Sequence, residues 1–146
     1  MSNYFYTDSN KENLNESLLT VNAKKWAESF INPEKPRDRW QRNPKLTSAQ
    51  LRKFHIEAKT LEEKVKNMEN MKNPDEEFLK LRPIVKMLKS KVAYACPNTG
   101  RDRKVPEEFR NYIEEMVDNV VDCRDFKAFA LCFESVVGFF YGQGGR

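Results

Sequence analysis

The sequence predicts an all-α fold, a small helical bundle of about five helices behind a mobile N-terminal tail. Apolar residues recur at spacings of three and four through successive stretches of the chain, the period of a buried helical face. Proline, asparagine and glycine fall between those stretches, where helices stop. Strand-like alternation is absent throughout. With 146 residues the chain is within the size of one domain. It divides into a disordered tail over 1–20 and a single helical-bundle domain over 21–146.

The opening residues are rich in Asn, Ser, Glu and Lys, and Tyr4, Phe5 and Tyr6 repeat at no period, so they read as a mobile tail. A short amphipathic helix follows over 21–31, with Trp26, Ala27, Phe30 and Ile31 on one side and Pro33 and Pro36 beyond its end. Thr47 or Ser48 caps the next helix, since a hydroxyl there accepts from an otherwise orphan amide. Its seam is Leu51, Phe54, Ala58, Leu61, Val65 and Met68. Asn73-Pro74-Asp75 starts another helix, with a core face of Phe78, Leu81, Val85, Leu88, Val92 and Ala95. Pro106, with Glu107 and Glu108, opens a fourth that buries Phe109, Tyr112, Ile113, Met116, Val117 and Val120.

The stretch 125–141 is the hydrophobic rod of the bundle, with Phe126, Phe129, Phe133, Val136, Val137 and Phe140 on its main stripe. Leu131, Cys132 and Phe139 lie off that stripe, as expected of a central helix or of one that also meets a second molecule. Its end, Phe139, Phe140 and Tyr141, is the candidate subunit interface. Gly142, Gly144 and Gly145 terminate it. The short connection at 122–125 predicts antiparallel packing of the last two helices.

Composition excludes several functions. Three cysteines without CxxC spacing argue against a disulfide framework and a thiolate metal site, and the single histidine, His55, lacks companion ligands. No cofactor or metal is expected. Glycine-rich phosphate loops, GxSxG and HExxH are missing, and carboxylate pairs such as Glu107/Glu108 fall on the wet side of a helix, so the chain reads as no enzyme. No stretch reaches the roughly 18 apolar residues of a membrane span, and the N-terminus does not read as a secretory signal. That composition predicts a cytoplasmic protein with no membrane partner.

Net charge is +4, but the charges are segregated. Basic clusters occur at Arg37/Arg39/Arg42/Lys45, Arg52/Lys53, Arg82/Lys86/Lys89/Lys91 and Arg101/Arg103/Lys104, whereas 105–134 is rich in acids. Trp40 stands among the first arginines, a pairing suited to phosphate contact and base stacking. Arg82, Lys86 and Lys89 fall within about 60° of one another on a helix, and no acid occurs between Glu77 and Asp102 to pair with them. A basic ridge without local partners suits a polyanion, and the acidic half can repel it or face a basic partner. The charge pattern thus nominates Arg82, Lys86, Arg103 and Lys104 as contacts to a polyanion.

Three blocks carry a resemblance: LTSAQLRKF (46–54), LKSKVAY (88–94) followed by Gly100-Arg101, and FKAFALCFESVVGFFYGQGG (126–145). In content and order they resemble the small subunit of the type III-A CRISPR effector, the Csm complex. Five residues, 95–99, separate the tyrosine from Gly-Arg, a longer gap than the family's. The resemblance implies a non-catalytic helical subunit of a prokaryotic RNA-guided interference complex. It implies several copies that touch the guide RNA–target RNA region and the other Csm subunits. By motif position it implies RNA contacts at Arg52, Lys53, Lys89, Lys91 and Arg101. The other reading of the same charges is a helical scaffold whose basic face docks an acidic protein.

Overall fold

Each long helix begins where the sequence supplies a local reason. The computed structural model describes residues 3–36, 38, 40–98 and 102–146. A single turn, α1 (Glu16–Leu19), precedes α2 (Val21–Ile31), α3 (Ser48–Glu69), α4 (Pro74–Ala95), α5 (Glu107–Asp118) and α6 (Cys123–Gly142). The fold is all-α: among the described residues the sole β feature is an isolated antiparallel bridge between Tyr6 and Leu14.

Thr47 starts α3 with a reciprocal cap: its hydroxyl accepts from the Gln50 amide and the Gln50 side chain accepts from the Thr47 amide. Pro74 sits in the first turn of α4, where its missing N–H needs no partner, with Asp75, Glu76 and Glu77, anions that the helix dipole favours there. The helix runs on through Pro83 to Ala95. Asp122 caps α6, its Oδ1 accepting from the Asp125 amide at 2.9 Å. At the other end the chain needs glycine. Gly144 has φ +89°, and a Cβ on Gly145 would lie 2.3 Å from the Phe140 ring that the turn closes over.

The central member is α6, with α2 and α3 packed along it and α1 and α4 touching it. Phe126, Phe129, Phe133, Val136 and Phe140 are buried, and so are Ala128 and Cys132 off that stripe, because α6 is covered from more than one side. Burial of each large side chain contributes about 1.5–3 kcal/mol. The rings interlock across the core: Phe30 meets Phe109 edge-on at 5.2 Å, Phe54 meets Phe109 at 5.1 Å, and Phe129 meets Phe133 at 5.9 Å.

Three expectations need correction. The last two helices do not run closely side by side. The backbone of α5 lies against α4 and α2, and it reaches α6 through ring pairs such as Tyr112–Phe133 at 5.9 Å, because side chains this large hold the two axes apart. Phe140 is fully buried within this chain, so of the candidate interface residues only half-buried Phe139 and Tyr141, 43% exposed, reach the surface.

The third concerns the N-terminus, where a mobile tail over 1–20 does not extend to residues 5–18. Phe5, Tyr6 and Leu18 are buried, and the Tyr6 hydroxyl donates to the Arg124 carbonyl at 2.6 Å. Asp8 folds the intervening loop by accepting from the Glu12 and Asn13 amides. Lys11, in the left-handed region at φ 56°, then reaches Asp122 at 2.6 Å and Asp125 at 3.0 Å. These residues form a strap across the start of α6, and no helical or strand period marks contacts made one residue at a time.

Candidate nucleic-acid interface

The two ends of α3 and α4 that lie together form a groove of about 460 Å³, and the chain builds it from three segments. The capping box fixes the first turn of α3 and thereby Gln50, whose Nε2 donates to the Lys104 carbonyl at 2.6 Å. The Lys104 amide in turn donates to the Ala95 carbonyl at 2.8 Å, so the segment after α4 is held against both helices. Phe54, Ala95 and Val105 give the groove apolar walls, and Lys53, Lys91 and Lys104 line it. Lys91 pairs with Glu57 at 3.1 Å, whereas Lys53 and Lys104 are exposed and form no ion pair among the described residues.

The other sequence-predicted cations go elsewhere. On α4, Lys89 and Lys91 are two residues and therefore about 200° apart, on opposite flanks. Lys89 pairs with Asp118 of α5. Lys86 donates to the carbonyls of Val117 and Val120 at 2.6 and 3.2 Å, at the carbonyl end of α5 where a cation is favoured. Burial, and then the nearby Arg82, hold its ammonium below the ordinary lysine value. Lys86 and Lys89, in a stretch that lacked local acids, thus find partners at the end of α5. Arg82 is half-buried and Arg52 exposed beside Lys53. Arg103 is buried, donating to the Pro97 carbonyl at 2.9 Å with Glu107 at 3.8 Å, which makes it a support of the groove rather than part of its surface. Arg101 lies outside the described residues, as do Gly100, Arg37 and Arg39. Trp40 is 62% exposed.

Tyr94 was missed as a site residue. It is 82% exposed at the groove, with Ser90 and Lys91 one turn before it. Its signal was available: an aromatic residue between Val92 and Ala95, off the core stripe of α4 and three residues after a lysine.

The cysteines show no activation. Cys96, Cys123 and Cys132 are free and buried, and burial pushes the thiols up, to about 11 at Cys123 and about 12 at Cys132, the opposite of an activated nucleophile. Among the described residues no group of His, Cys, Asp and Glu could hold a metal ion, and no helix is long and apolar enough to cross a membrane.

The described residues therefore define a small all-helical protein with a cation-lined groove at its surface. The chain belongs to the Csm2 Type III-A family, whose model matches residues 17–145. It is a small subunit of the type III-A CRISPR Csm complex. Comparison with curated proteins and with solved structures finds no match.

Proposed function

We propose that this chain is a non-catalytic RNA-gripping subunit of the Csm complex, present in several copies along the guide RNA–target RNA region. The observation that carries the reading is the convergence of Lys53, Lys91 and Lys104 from separate segments around one groove that holds a single carboxylate, Glu57. Lysine is a compact cation with three donors and no acceptor, suited to phosphate oxygens and indifferent to base identity. A subunit that must accept any guide and any target needs that indifference. Arg52 extends the grip along α3, and Arg82 and Lys89 offer a second line of contact on the far flank of α4. Arg101, Lys86 and Arg103 are left out of the central set, the first because it lies outside the described residues and the others because they already serve this chain's own backbone. Phe139 and Tyr141, at the surface end of α6, are the residues we assign to neighbouring subunits. The complex acts in the prokaryotic cytoplasm.

The test is the salt dependence of target RNA binding by the assembled complex. The double variant Lys53→Glu/Lys104→Glu is expected to bind more weakly and to lower the slope of log affinity against log salt by about 2 for each copy engaged, since each lost phosphate contact removes about one unit. Targets of unrelated sequence should respond equally. An unchanged slope would assign the groove to an acidic protein surface instead.

A further inference from the structure

Phosphate binding leaves one feature of the groove unused. Tyr94 is 82% exposed, and nothing in the packing of α4 requires an aromatic ring there. The ring lines the groove together with Phe54, Ala95 and Val105 and with Lys53, Lys91 and Lys104. An aromatic face set among cations is the arrangement that holds single-stranded nucleic acid: the base stacks on the ring while its flanking phosphates meet the lysines. The groove, about 460 Å³, lies in the range of small-ligand sites and can admit a base as well as a phosphate. A paired base offers no free face to such a ring, because its faces are covered by its neighbours in the helix.

We infer that the groove receives an unpaired nucleotide of an RNA strand, its base stacked on Tyr94 and its adjoining phosphates on Lys53 and Lys104. This rests on the RNA-gripping reading and narrows it from a duplex backbone to an exposed base. The polar side chains nearby also predict which base is taken. Gln50 is occupied on both sides, accepting from the Thr47 amide and donating to the Lys104 carbonyl. Ser90 donates to the Met87 carbonyl, and Glu57 is paired with Lys91. With these groups committed, the base edge meets no dedicated reader, and the site accepts purines and pyrimidines alike.

The experiment uses Csm complexes assembled with the wild-type, Tyr94→Phe or Tyr94→Ala chain, and target RNAs carrying 2-aminopurine at successive positions. A base stacked on an aromatic ring is quenched. At one or more positions the probe should be dim in the wild-type and Tyr94→Phe complexes and several-fold brighter in the Tyr94→Ala complex. The same emission at every position in all three complexes would overturn the stacking inference. If the Lys53→Glu/Lys104→Glu complex nonetheless loses salt slope, the phosphate reading survives alone; if it does not, both fall. Native mass spectrometry supplies the remaining outcome: a Tyr94→Ala complex that lacks this subunit makes Tyr94 a protein contact and refutes its role in base binding.

Discussion

At the strap junction Lys11 lies 2.6 Å from Asp122 and 3.0 Å from Asp125, whose side chain is almost wholly buried, whereas Lys53 and Lys104 in the groove are exposed, with no carboxylate partner among the described residues. The same functional group meets two electrostatic situations. A buried carboxylate has lost its water, so its cation and its hydrogen bonds must replace that solvation or the fold opens. The Asp125 side chain has them: the Lys11 ammonium, and the Val121 amide at 3.0 Å. A solvated cation needs nothing from the fold, and its repulsion from neighbours is screened over about 10 Å at moderate salt. What the difference teaches is where this chain keeps its reserve of unmatched charge. Lys11, Lys86 and Arg103 bond to carboxylates or carbonyls of this chain, whereas Lys53 and Lys104 stand exposed at the groove, where a partner can reach them.

The sharpest way to break that contrast is to remove one member from each region. Asp125→Ala leaves the Val121 amide without its acceptor and Lys11 with Asp122 alone, and should cost about 3 kcal/mol in urea unfolding. Lys53→Ala, at an exposed and unpaired site, should stay within about 0.5 kcal/mol of the parent. Comparable losses from the two substitutions would mean that the groove lysine is as structural as the strap, and the contrast would vanish.

Helical periodicity made most of this architecture legible in advance. The starts of α3 and α4, the core face of each helix and the central place of α6 follow from spacing, caps and prolines, all of which act within a few residues. Partners distant in the chain were not legible. Lys86 lies in a stretch without acids, and only the fold brings the end of α5 beneath it. Arg103 resembles Lys104 in sequence, yet one is buried under Pro97 and the other exposed, a distinction set by how the segment after Ala95 folds back. The strap escaped notice because Tyr4 and Tyr6 bond to α5 and α6 from over a hundred residues away.

Lys86 sharpens the contrast within the sequence-predicted set itself. Lys86→Met removes the donor to the carbonyls of Val117 and Val120 and should lower stability by about 1 kcal/mol, the worth of a typical hydrogen bond together with the charge at a helix end. The salt slope of RNA binding should stay at the parental value, because this ammonium faces α5. A lowered slope with unchanged stability would place Lys86 among the partner-facing cations.

The smallest effect belongs to His55, which stands on α3 between the two situations, with the groove residues Lys53 and Phe54 before it and its own ring 5.6 Å from Phe133 of α6. Burial first, and then Lys59, hold its imidazole below the ordinary histidine value, against the opposing pull of Glu134 and Glu62. Lys59 is itself engaged with Glu134 at 3.5 Å, so neither neighbour acts on the ring with its full charge. A histidine depressed in the folded state takes up its proton later than in the unfolded chain as pH falls. Its contribution to stability is therefore complete above the unfolded value of about 6.5 and declines as pH drops through the folded value. Unfolding in urea should show a small loss of stability as pH falls below about 6.5, above the range near 4 in which unperturbed carboxylates protonate. His55→Gln should flatten that decline while leaving the pH 7 value nearly unchanged. A decline that persists in the glutamine variant would locate the titrating group elsewhere and return His55 to the solvated side of α3, with the groove.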